Sequence, residues 1–251
     1  LPVMALAEDS SAAVGLSYGQ AKIDSTGIVY NTLDEAMEHA ASVDTIYLGE
    51  GIYCGNAEHP TVRGKGAGKS LTFVGAGTGE TTWQICAPEE PYGSDGYCDY
   101  SFRDSNSITF QNMTVIGSVY PKGSTKWASV WHNNTQGLTY IDHITLKNCI
   151  FNGRADYWGY KTTTFENVTF NAPGTEASGI PVVGNVDYSL WTYTGKSYTF
   201  KNCTFNSAGK TVNVYCNGNT GYDITVDFED CTVNSTNPES KSFLNINDAN
   251  M

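Results

Sequence analysis

Two carboxylates, Asp99 and Asp156, with Arg103 and His132 close to them in the strand arrangement derived below, are the side chains whose types best fit catalysis. Carboxyl groups flanking a glycosidic bond act as acid and base, or as acid and nucleophile, when about 5 to 9.5 Å separates them. Strands about 4.8 Å apart reach the upper end of that range when two intervals lie between the pair. A second set suits binding better than bond breaking: Trp131, Asn133, Trp158, Tyr160, Trp191, Asn213 and Tyr215. Aromatic faces give apolar contact at low entropic cost and amides supply directional hydrogen bonds, a combination that fits sugar rings or a protein surface. Asp223, Asp227, Glu229 and Asp230 offer oxygens to calcium, but no Asp-x-Asn-x-Asp-Gly loop frames them. No cofactor is therefore expected.

What must position these residues is an all-β chain. The 251 residues carry 14 Lys+Arg against 26 Asp+Glu, a net charge of −12, which argues against nucleic acid and anionic membranes as partners. With 40% apolar and only 16% charged residues the chain can bury a large core. Gly (26) and Tyr (16) are abundant beside Thr and Asn, the balance of strands and turns. Ala5-Leu6-Ala7 has the small-x-small form of a signal-peptidase site, which predicts a leader remnant over 1–7, cleavage before Glu8 and a secreted protein. The seven cysteines (Cys54, Cys86, Cys98, Cys149, Cys203, Cys216, Cys231) include no C-x-x-C pair. Cys86 and Cys98 bracket a polar loop that a disulfide would clamp; buried free thiols are the alternative.

A ten-residue phrase recurs five times. It reads Ile108-Thr-Phe-Gln-Asn-Met-Thr-Val-Ile-Gly117, then starts again at Ile144, Thr163, Tyr198 and Val226, at intervals of 36, 19, 35 and 28 residues. Such spacing suits a repeat of roughly 20 to 25 residues with variable loops. Positions one and three are apolar, with Phe110, Leu146, Phe165, Phe200 and Phe228 at position three. The alternation then resumes out of phase, with Met113, Cys149, Val168, Cys203 and Cys231 at position six, so both halves point inward across a bend. The bend falls at Asn112, Asn148, Asn167, Asn202 and Asp230, residue types that tolerate a left-handed backbone. Stacked copies predict an Asn ladder. Asn112, Asn167, Asn202 and Asn234 also stand in glycosylation sequons; an internal ladder would keep the bend residues from carrying sugar.

Between the phrases a third strand is expected at 97–103, 128–133, 154–160, 180–186, 211–217 and 242–248. With Val130, Val212, Val214, Leu244 and Ile246 inward, alternation turns Asp99, Arg103, Asp156, Trp131, Asn133, Trp158, Tyr160, Asn213 and Tyr215 outward onto one sheet, joined by Ser101, Ser129, Asn245 and Asn247, with His132 nearby on the same strands. Trp191 is placed in an insert that lengthens one repeat beside this sheet. Near the N-terminus, Thr32 and Glu35 predict a capping box, and Leu33, Ala36, Met37, Ala40 and Ala41 form one apolar helical face able to plug the end of the stack.

Over residues 28–251 the chain resembles the right-handed parallel β-helix of the pectin-lyase-like superfamily. The resemblance implies three strands per coil and an N-terminal capping helix. The expected organisation is a segment with that helix over 8–43 and the β-helix over 44–251, continuing past Met251. Enzymes of that superfamily carry a Gly-His-Gly motif with Arg-x-Lys, calcium-binding carboxylates or Asp pairs with Gln and Arg; none stands here, and the chain has only Arg63, Arg103 and Arg154. The preferred expectation is a secreted or cell-surface binding module for glycan or host glycoprotein, without membrane insertion. A polysaccharide lyase or glycosidase in the same groove, and a structural stalk, are the alternatives.

Overall fold

The computed structural model describes residues 11–53, 66, 68–84, 102, 105–116, 141–153, 155, 158–172, 189–192, 196–207, 209, 211–214, 223–235 and 243–246. The described chain is predominantly β, with a large, mostly parallel sheet. After α1 (Ser11–Val14) come β1 (Ala21–Ile23), β2 (Val29–Tyr30), α2 (Leu33–His39), β3 (Thr45–Leu48), β4 (Gly51–Tyr53), β5 (Leu71–Gly75) and β6 (Thr81–Gln84). The phrases follow as β7 (Ser107–Ile116), β8 (His143–Asn152) and β9 (Thr162–Ala172). Two later copies are split at the bend, into β11 (Ser197–Lys201) with β12 (Thr204–Ser207), and β14 (Thr225–Glu229) with β15 (Thr232–Ser235). Short strands β10 (Leu190–Trp191), β13 (Val212–Val214) and β16 (Leu244–Ile246) form a separate parallel sheet.

The five copies pair in the register that the phrase demands. Phe110, Leu146, Phe165, Phe200 and Phe228 sit opposite one another in successive strands. In β7 and β8 burial alternates up to the bend, then two residues in succession face outward, and burial resumes. The second of those two is the Asn, with φ of 54° at Asn112, 53° at Asn148, and 51° at Asn167, Asn202 and Asp230. A left-handed residue reverses the phase of the strand so that Met113 and Val115 return to the same core as Ile108 and Phe110. The rings stack from strand to strand, Phe165 on Phe200 at 4.8 Å and Phe170 on Phe205 at 5.0 Å between centroids.

At the N-terminal end, Thr32 caps α2 by accepting from the Glu35 amide at 3.2 Å. Leu33, Ala36, Met37 and Ala40 enter the core beside Ala21 and Ile23. Ala41, expected on the same face, is exposed because the helix ends at His39 and Ala40 is already extended, with ψ of 139°. Lys69 Nζ closes that end by donating to the Met37 carbonyl at 2.6 Å. Among the described residues no helix is long and apolar enough to cross a membrane.

Three expectations need correction. The bend residues do not lie inside: Asn167 and Asn202 are exposed, because the phase reversal leaves the bend residue no inward direction, so burial does not keep these sequons from sugar. The strand expected over 180–186 lies outside the described residues, whereas Leu190–Trp191 pairs with Val212 and Asn213, so Trp191 belongs to the small sheet and not to an insert. Trp158 is not outward. It is fully buried, 5.0 Å from Phe165 and 5.5 Å from Phe151 between ring centroids, and its Nε1 donates to the Ala155 carbonyl at 3.0 Å. Strand alternation does not reach it, because Ala155 makes only an isolated bridge and Trp158 itself lies in no strand.

Candidate functional site

In-register pairing of identical phrases turns each outward position into a row along the stack, with neighbours about 4.8 Å apart. Position two gives Thr45, Thr72, Thr109, Thr145, Thr164 and Thr199, ending at Asp227. Position four alternates in charge from strand to strand: Lys147, Glu166, Lys201 and Glu229, with Lys201 Nζ 3.7 Å from Glu229 Oε1. These rows share one face.

The face formed beyond the bend carries no charge in its two central rows. Position seven gives Thr82, Thr114, Ile150, Thr169, Thr204 and Thr232. Position nine gives Asn152, Asn171, Asn206 and Asn234, whose amides bond head to tail: Asn171 Nδ2 donates to Asn152 Oδ1 at 2.7 Å, Asn206 to Asn171 at 2.8 Å and Asn234 to Asn206 at 3.2 Å. An Asn ladder thus exists at position nine as well as at the bend, where Asn167 Nδ2 donates to Asn148 Oδ1 at 2.8 Å. The Thr-x-Asn rhythm was readable in Thr169-Phe-Asn171, Thr204-Phe-Asn206 and Thr232-Val-Asn234. Its two polar columns carry neither an aromatic ring nor a charge.

Most of the residues singled out for chemistry lie outside the described residues: Asp99, Arg103, Trp131, His132, Asn133, Asp156 and Tyr215, together with Ser101, Ser129, Asn247 and the pair Cys86 and Cys98. Among the rest, Trp158 belongs to the core. Trp191, Asn213 and Asn245 share one row of the small sheet. Asn213 is only 5% exposed and accepts from Asn245 Nδ2 at 2.6 Å, so its amide is engaged within the sheet. Tyr160 is half-buried, with Lys196 Nζ 5.6 Å from its ring centroid. Beside it, Lys161 pairs with Asp142 at 2.7 Å, and His143 Nδ1 and Thr162 Oγ1 share a hydrogen bond of 2.7 Å. The acidic residues considered for calcium do not converge: among the described residues no group of three His, Cys, Asp or Glu side chains could hold a metal.

Among the described residues the displaced titrations fall on buried groups. Burial raises the Tyr53 phenol above its usual range while its hydroxyl donates to the Gln20 carbonyl at 2.6 Å. Burial likewise pushes the Cys149 and Cys203 thiols up to about 12. Thiols held in that state are poor nucleophiles. What the described surface offers is an ordered lattice of hydroxyls and amides. Comparison with known proteins finds no matching family model, curated protein or solved structure.

Proposed function

We propose that the chain is a right-handed parallel β-helix, secreted or displayed on a cell surface, that binds an uncharged polysaccharide lying along its long axis. The interleaving of the sheets supports the fold: β11, β12 and β13, then β14, β15 and β16, each send two strands to the large sheet and one to the small. The observation that carries the binding reading is the pair of uncharged rows, Thr169, Thr204 and Thr232 beside Asn171, Asn206 and Asn234. A polymer of sugars repeats hydroxyls that donate and accept, and meets here a surface repeating the same chemistry once per strand. The ladder fixes the amides before a ligand arrives, which lowers the ordering cost of binding. The net charge of −12 disfavours acidic polymers.

The test replaces Thr169 and Thr204 by Val, which keeps the β-branched shape and removes two hydroxyls. Binding to neutral polysaccharides is measured by affinity electrophoresis and calorimetry, with uronic-acid polymers as the charged comparison. Each hydrogen bond contributes about 0.5 to 1.5 kcal/mol, so the double variant is expected to bind about fivefold to a hundredfold more weakly. Thr145→Val with Thr164→Val on the charged face leaves affinity unchanged. Equal binding by parent and Thr169→Val, Thr204→Val would mean that these threonines serve the sheet alone.

A further inference from the structure

We propose that Cys203 and Cys231 are a latent disulfide, closed by a small-molecule disulfide, that ties the β14–β15 repeat to the repeat before it. The two occupy position six of adjacent copies, directly before the paired residues Thr204 and Thr232, and the Thr232 amide donates to the Cys203 carbonyl at 2.9 Å. In-register parallel neighbours place their α-carbons about 4.8 Å apart, inside the range of about 4.4 to 6.8 Å that disulfides span. The side chains share one orientation: Cys203 Sγ lies 3.5 Å from the Phe165 carbonyl and Cys231 Sγ 3.4 Å from the Phe200 carbonyl, each one strand back in the stack.

The same row shows why this pair is selected. Its order is Met113, Cys149, Val168, Cys203, Cys231, so Val168 separates Cys149 from Cys203 by two strand intervals, about 9.6 Å, beyond the reach of a disulfide. Exposure assigns the order of events. Cys203 is 1% exposed, whereas Cys231 is half-buried in the last described repeat, where β14 and β15 pair on one side only among the described residues. The Cys231 thiolate attacks the small disulfide RSSR, expelling one RS⁻ that takes up a proton. The Cys203 thiol gives its proton to solvent base, attacks the Cys231 sulfur and expels the second RS⁻. Two protein thiols are oxidised to one disulfide and RSSR is reduced to two RSH. The second step is the slow one and quickens as pH rises, because burial keeps Cys203 protonated. The crosslink stabilises by restricting the unfolded chain between the last two described repeats of the stack.

The experiment treats the full chain with glutathione disulfide, blocks remaining thiols with iodoacetamide in denaturant and maps peptides by mass spectrometry. The expected product is a Cys203–Cys231 crosslinked peptide, formed equally in Cys149→Ser and absent from Cys203→Ser and Cys231→Ser, with a Tm above that of the reduced protein. Alkylation of both residues after full oxidation, a glutathione adduct persisting on Cys231, or linkage of either residue to another cysteine overturns the proposal. The parent protein alone decides between these outcomes should a serine variant fail to fold.

Discussion

Phe200 and Phe228 lie face to face, their ring centroids 4.9 Å apart and their planes 10° from parallel, yet Phe200 is fully buried and Phe228 is 37% exposed. The same position of the same phrase therefore differs in energy according to whether another strand covers it. Phe200 also meets Phe165, Phe170 and Phe205, so Phe200→Ala opens a cavity in the stack and is expected to cost about 3 to 5 kcal/mol. Phe228→Ala removes a ring that solvent already reaches and should cost about 1 to 2 kcal/mol. Urea unfolding of the two variants checks the order; equal losses would mean that Phe228 is covered in solution.

The bend makes a separate prediction about backbone, independent of packing. Asn167 holds φ of 51° and donates its side chain to Asn148. Asn167→Ala loses the hydrogen bond and leaves in the left-handed region a residue whose β-carbon clash no polar side chain offsets, which costs about 1 to 2 kcal/mol beyond the lost bond. Asn167→Gly loses the bond alone, since glycine accepts that backbone conformation freely. The glycine variant is therefore expected to be the more stable of the two, an inversion of the usual order in strands. Chemical denaturation of both proteins decides it, and an alanine variant as stable as the glycine one would remove the argument from φ.

Trp158 separates a packing role from a binding role. Its ring touches Phe151 and Phe165 and its indole nitrogen is satisfied within the chain. Trp158→Ala should lose about 3 to 5 kcal/mol of stability. Trp158→Phe retains most of the apolar volume and removes the donor, so it should fold with a smaller loss and bind any glycan as the parent does. Weakened binding by a well-folded Trp158→Phe protein, read by calorimetry beside a thermal melt, would return the residue to the ligand surface.

The core was legible because identical phrases repeat the same constraint: Phe110, Leu146, Phe165 and Phe200 each alternate with polar neighbours, and an Asn at a fixed distance marks each bend. Single occurrences were harder. The antiparallel pair β1 and β2 turns through Asp24-Ser-Thr-Gly27, with Gly27 at φ of 68°, a hairpin signal that no repeat reinforced. The small sheet was harder still, since β10 has only two residues and alternation over so short a span does not fix a direction. Trp158 shows the same limit: Ala155 makes only an isolated bridge and Trp158 lies in no strand, so a period of two does not set its direction. The polar rows were plain in the phrase, but a surface of Thr and Asn has no catalytic signature and draws less notice than tryptophans do.

Buried thiols give the fold a dependence on alkaline pH. The Cys149 thiol is pushed from its ordinary value of 9.0 up to about 12, chiefly by desolvation, so the folded protein keeps its proton where the unfolded chain has lost it. Below pH of about 9 both states hold the proton and stability is constant; between about 9 and about 12 the unfolded state binds fewer protons and stability falls as pH rises. Cys149→Ala removes this group while leaving Cys203 and Tyr53, which shift in the same direction, in place. Its Tm should start lower at neutral pH, because the sulfur leaves a small cavity, and should fall less steeply than the parent's from pH of about 8 to about 11. Parallel Tm curves for the two proteins over that interval would show that the Cys149 thiol ionises in the folded state as readily as in water, and that Met113 and Val168, its neighbours in the row, do not keep solvent from it.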